Sequence, residues 1–161
     1  MKTKLAAALK WREAGEYDKS SRLLLELVQK FPDDPLILYQ YAWSLDLLGE
    51  ESRAVCFYEK AISLGLPKDE LEMALLGLGS TYRTLGDYKK ASDTFVQAIE
   101  QFKDNNALRI FYAMTLYNLE KHEKAMEVLL TALVETTADE NILKYKKAIR
   151  FYSDKLNETW K

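Results

Sequence analysis

An all-α helical-repeat array, an α-solenoid of four helical hairpins followed by a capping helix, is the fold the sequence predicts. Three observations point to it: a unit that recurs about every 34 residues, apolar positions spaced by three and four within each unit, and Gly or Pro at the unit ends. Gly15, Gly49, Gly86 and Glu120 fall into register with separations of 34, 37 and 34 residues, so the period is 34 with one insertion of three. Around that anchor run columns of small residues, Ser20, Ala54, Ala91 and Ala125, then Leu27, Ala61, Ala98 and Ala132. Columns of large ones run beside them: Leu24, Tyr58, Phe95 and Leu129, and upstream Trp11, Leu45, Tyr82 and Leu116. A further column of Ala8, Ala42, Gly79 and Ala113 is small throughout. Small residues suit positions where two helices approach closely, and large ones fill the gaps between them.

The units take residues of about 1–34, 35–71, 72–105 and 106–139, all within one domain spanning 1–161. In the first, Gly15 and Tyr17 mark the turn and Pro32 the end. Asp34 and Pro35 then open the second, Asp34 as N-cap and Pro35 at the first helical position. The insertion lies at Gly65–Glu70, where Gly65 ends a helix and Pro67 forbids its continuation. The third unit is the sharpest: Leu75, Leu78, Tyr82 and Leu85 step by three and four before Gly86, and Tyr88, Ala91, Phe95, Ala98 and Ile99 repeat the spacing after it. Gly86 stands where a tight helix-to-helix turn needs left-handed backbone. Asn105 and Asp139, aligned with Asp34, head the fourth unit and the last helix. That helix, over about 140–158, carries a stripe of Ile142, Tyr145, Ile149, Tyr152 and Leu156, which predicts a cap over the end of the stack.

These residues resemble the tetratricopeptide repeat family, whose 34-residue pattern is matched best by Leu78-Gly79, Tyr82, Gly86-Asp87-Tyr88, Ala91, Phe95 and Ala98. Among its members the chain is most similar to small stand-alone bacterial proteins. The departures are Glu120 at a turn-glycine position, Ser20 and Leu27 in place of small alanines, and the absence of the early Trp. The resemblance implies a right-handed superhelix in which the first helix of each pair lines a concave groove for an extended peptide or a partner's helix. On that register the groove residues are Tyr39, Trp43 and Asp46, then Leu76, Ser80 and Arg83, then Ile110, Met114 and Tyr117. Family members that bind chaperone tails hold a terminal carboxylate with Lys, Asn and Arg. The corresponding positions here, Leu5, Leu9, Gln40, Met73 and Gly77, or Tyr39, Trp43, Gly77, Ala107 and Phe111, do not supply that clamp, so a chaperone C-terminal tail is not an expected partner.

Composition narrows the function classes. With 23 basic and 25 acidic residues in 161, the chain lacks the basic excess that a phosphate backbone requires, and nucleic acid is not an expected partner. One cysteine, Cys56, and one histidine, His122, cannot build a His/Cys metal site, and no cofactor is expected. The apolar run Leu5–Leu9 is cut short by Lys10 and Arg12, and no segment has the length of a membrane span, so no membrane role and a cytoplasmic location are expected.

Catalysis finds no support. The chain has no Gly-rich phosphate loop, zinc-helix motif or nucleophile elbow. Acidic pairs such as Asp33-Asp34 and Glu50-Glu51 fall at turns. Cys56 has no neighbouring base, and His122 aligns with Tyr17 and Tyr88 at a packing or surface position. The expectation is therefore a non-enzyme that binds a protein or peptide in an apolar, aromatic groove. Arg83 is suited to a carboxylate, and its alternative is an ion pair with Asp46 across adjacent helices. A rival reading is a self-associating homodimer that buries the groove or the last helix, with Phe151, Tyr152 and Trp160 as contact residues. A small-molecule or peptide-signal sensor, which would need a closed pocket, is a third.

Overall fold

The computed structural model describes residues 1–160, and among them it contains helices and turns but no strand. The chain divides into two compact units, the first ending at Asp87 and the second starting at Tyr88.

The first unit contains α1 (Lys2–Glu13), α2 (Tyr17–Lys30), α3 (Pro35–Leu47), α4 (Glu51–Leu64) and α5 (Lys68–Thr84). Consecutive helices pack on one another, and α3 also touches α5. The columns read from the sequence are the packing seams. Ala8, Ala42 and Ala54 are fully buried, as are Leu24, Leu45 and Ala61. Ser20, which breaks its alanine column, is buried too, and its hydroxyl lies 3.4 Å from that of Ser44. Trp11 is the exception. It is 42% exposed, with the Lys19 ammonium 4.7 Å from its ring centroid, because α1 packs chiefly on α2 and leaves that side uncovered.

The punctuation behaves as its chemistry requires. The Asp34 carboxylate accepts from the Ile37 amide at 3.0 Å, and Pro35 holds the first helical position of α3. After α4, Gly65 takes a φ of 90°. The three inserted residues lengthen α5, which starts at Lys68 and runs for 17 residues against 13 in α3. The unit boundary expected at about 71/72 therefore lies inside a helix.

The second unit contains α6 (Tyr88–Gln101), α7 (Asn106–Asn118), α8 (His122–Thr136), α9 (Glu140–Lys144) and α10 (Lys146–Tyr152). Helix α7 packs on both α6 and α8, burying Ala91, Phe95, Ala98, Leu108, Ala113, Leu116 and Ala132. Asn105 caps α7 through the amides of Ala107 and Leu108, and Asp139 caps α9 through those of Asn141 and Ile142. At the turn between α7 and α8, Glu120 adopts a φ of 61°, the conformation taken by Gly15, Gly49 and Gly86 at the aligned positions.

One expectation needs correction. The single capping helix over about 140–158 is two short helices, α9 and α10, separated at Tyr145. Their stripe does not form a buried face: Ile142 and Ile149 are half-buried, whereas Tyr145, Tyr152 and Leu156 are exposed. A five-residue helix spans little more than one turn, and the non-helical backbone at Tyr145 interrupts the stripe before it can build a continuous face.

Candidate functional site

In the first unit, α3, α4 and α5 form an open cavity of about 270 Å³ lined by Tyr39, Trp43, Asp46, Tyr58, Leu76 and Ser80, together with Leu47, Met73 and Gly77. Five of its residues, Tyr39, Trp43, Asp46, Leu76 and Ser80, are groove residues expected from the sequence. They meet because positions 39, 43 and 46 follow one face of α3, and 76 and 80 follow one face of α5.

Exposure differs along the wall. Tyr39 is only 4% exposed, so it is a rear wall rather than an accessible ridge, while Trp43, Asp46, Leu76 and Ser80 are half-buried. The Tyr39 and Trp43 rings stack with centroids 6.2 Å apart, and the Tyr58 ring tilts against Tyr39 at 6.3 Å. Burial pushes the Tyr39 hydroxyl above the usual phenol range. It pushes the Tyr58 hydroxyl up further, helped by the Asp46 carboxylate beside it.

Asp46 is the charged residue of the wall. Its carboxylate accepts from the Thr81 hydroxyl at 2.9 Å, and the Tyr58 hydroxyl lies beside it. These bonds replace, on the Asp46 side, the Arg83 pair considered from the sequence. Burial raises the Asp46 carboxyl above the ordinary Asp range, and the two hydroxyl donors only partly offset it. The Thr81 oxygen also lies 2.8 Å from the Gly77 carbonyl, so its single proton is shared between that carbonyl and the Asp46 carboxylate.

A cation already rests on this cluster. The Arg12 guanidinium of α1 lies 3.8 Å from the Trp43 ring centroid and donates to the Gln40 side-chain oxygen at 2.6 Å and to its carbonyl at 3.4 Å. Part of Trp43 is thus covered from within the chain.

Sequence reasoning missed Tyr58 and Gly77. Tyr58 stands in a packing column with Leu24, Phe95 and Leu129, and the signal was its hydroxyl, which the others lack. A Cβ placed on Gly77 would lie 2.7 Å from the Tyr58 ring tip and hydroxyl, so the glycine is what lets α5 approach Tyr58 and Asp46. Neighbouring α5 places Arg83 half-buried, one turn beyond Ser80.

The other expected groove residues lie on α7 of the second unit. Ile110 and Tyr117 are exposed and Met114 is half-buried. The Tyr117 ring packs on His122 with centroids 4.7 Å apart, which gives the histidine the surface packing role expected of it. Cys56 is exposed on α4. Phe151, Tyr152 and Trp160, expected as dimer contacts, form an exposed aromatic group, with Phe151–Tyr152 centroids 5.1 Å apart and Tyr152–Trp160 at 5.3 Å. Among the described residues no group of three or more His, Cys, Asp or Glu side chains is placed to hold a metal ion. No helix among those residues is long and apolar enough to cross a membrane.

Repeated helical hairpins with small-residue seams define a helical-repeat protein. The tetratrico peptide repeat family model matches residues 35–156, and the chain belongs to that family. Two solved structures share the fold. The "MamA RS-1 ArsTM double mutant" superposes with a TM-score of 0.75 at 19% identity, over 97% of this chain and 86% of that one. The crystal structure of "YrrB: a TPR protein with an unusual peptide-binding site" gives 0.72 at 17% identity, over 96% of this chain and 77% of that one.

Proposed function

We propose that the protein is a protein-interaction module that receives a segment of a partner, as an extended peptide or a helix, against the α3–α5 cavity. The observation that carries this reading is the cavity itself: an aromatic and aliphatic wall with half-exposed Trp43, Leu76 and Ser80, on a fold that one structural neighbour uses to bind peptide. Trp43 is the anchor, since large flat side chains in partly desolvated settings carry a disproportionate share of binding energy. Asp46 and Ser80 supply polar contacts, and Arg83 fixes the direction of the segment. Ile110, Met114 and Tyr117 on α7 add a second accessible apolar strip within their own unit. The role is binding rather than catalysis, with no nucleic acid or membrane involved, and an exposed lone cysteine suits the reducing cytoplasm.

The test is selection of binders from a random peptide display library on the purified protein, followed by titration of the winners. Trp43→Ala should weaken them by about 2 kcal/mol while circular dichroism stays unchanged. Loss of helical signal in that variant would make Trp43 a folding residue and remove it from the site.

The exposed Phe151, Tyr152 and Trp160 group favours a second reading, a homodimer formed through the C-terminal segment. Sedimentation equilibrium separates the two. A dimer that dissociates when the chain is truncated before Tyr152, with the rest still folded, supports self-association there. A monomer at every concentration removes it.

A further inference from the structure

We infer that the α3–α5 cavity takes a positively charged side chain, the lysine or arginine of a partner segment, with Asp46 as its counter-charge and the Tyr39 and Trp43 rings as its walls. This rests on the reading of the cavity as the binding site and adds the chemistry of the occupant.

Charge complementarity argues for it. Of the nine residues lining the cavity, Asp46 alone carries a formal charge. Its hydrogen-bond donor is the neutral Thr81 hydroxyl, with the neutral Tyr58 hydroxyl beside it, so among the described residues a half-buried carboxylate stands in an aromatic wall with no cation paired to it. Such a group is costly to bury, and an incoming ammonium or guanidinium lowers that cost. The Tyr39 and Trp43 rings that line the same cavity are electron-rich, which suits a cation and does nothing for a carboxylate.

The fold supplies its own demonstration that the cluster accepts a cation. Arg12 lies over Trp43 at 3.8 Å, but it spends its N–H groups on Gln40 and not on Asp46. Its charge would favour an anionic occupant, and only a side chain reaching Asp46 directly overcomes that. An anion drawn to Arg12 is therefore the competing outcome.

The experiment titrates the full ¹⁵N-labelled chain with N-acetyl-arginine amide and N-acetyl-lysine amide, following the Trp43 indole N–H and the Gly77 and Ser80 amides. N-acetyl-citrulline, norleucine and glutamate amides serve as neutral and anionic counterparts. The two cations should shift these resonances saturably and about tenfold more tightly than citrulline or norleucine. Asp46→Asn, which keeps the shape and an acceptor for Tyr58 or Thr81, should erase that preference. Equal shifts from neutral and cationic probes would overturn the charge assignment and leave the cavity as a binding site. Tighter binding of the glutamate amide, or an unchanged preference in Asp46→Asn, would also overturn it. Silence at all three positions from every probe, with display-selected peptides binding elsewhere, would sink both readings. If Asp46→Asn fails to fold, the arginine–citrulline comparison on the wild type decides alone.

Discussion

Residues at equivalent places in the repeat face equivalent demands, and Glu120 shows what happens when the side chain does not suit them. Its backbone sits at a φ of 61°, where Gly86 sits at 81° without strain. A residue with a Cβ is disfavoured in the left-handed region by about 1–2 kcal/mol, while glycine loses about 0.5–1 kcal/mol through the freedom of its unfolded chain. Glu120→Gly should therefore stabilise the fold by about 0.5–1 kcal/mol, read as a higher denaturant midpoint with an unchanged slope. A lower midpoint would mean that the Glu120 side chain contributes more than its backbone costs. The departure was legible in the sequence, because the column Gly15, Gly49, Gly86, Glu120 required a positive φ of whatever filled it. Tyr58 was not. One residue type serves equally for filling a gap and for bonding a carboxylate, and only the approach of α5 at Gly77 shows that its hydroxyl meets Asp46.

Helices differ in how firmly they are held, and α1 is the least embedded of the long ones in its unit. It buries one residue fully, Ala8, and leaves Trp11 exposed, whereas α5 buries Ala74, Leu75, Leu78, Gly79, Thr81 and Tyr82. Arg12 ties α1 to α3 through Gln40 and Trp43, but partly exposed polar links add little beside lost apolar burial. Amides of α1 and α2 should exchange with solvent before those of α5 and α6 under native conditions, as the weak match of the first unit to the repeat already suggested. The opposite order, measured by hydrogen exchange, would show that Arg12 holds the first hairpin more firmly than burial does. The caps of α3, α7 and α9 were readable because Asp34, Asn105 and Asp139 repeat in register, whereas the start of α5, which has no such residue, was not. The end of the chain was not: a stripe of five apolar residues at helical spacing fits one helix or two, and the break at Tyr145 has no Gly or Pro to announce it.

At the scale of the whole molecule the periodicity in the sequence settles what the protein is, because each hairpin buries its apolar face only against the next. It does not settle what is bound, since the same repeat serves many tasks and the answer lies in the few side chains that face a partner. Of the nine expected groove residues, Tyr39, Trp43, Asp46, Leu76 and Ser80 meet around one cavity, because spacing along a helix fixes which residues share a face. How deep each lies depends on packing between helices, which spacing cannot give: Tyr39 is a buried wall, and Trp43 is shared with Arg12. The most direct test of the cavity as the binding face is a chemical-shift map of the ¹⁵N-labelled chain with a display-selected peptide. The largest changes should fall on the Trp43 indole N–H, Gly77 and Ser80. Changes confined to the segment carrying Phe151, Tyr152 and Trp160, with those three signals unmoved, would contradict it.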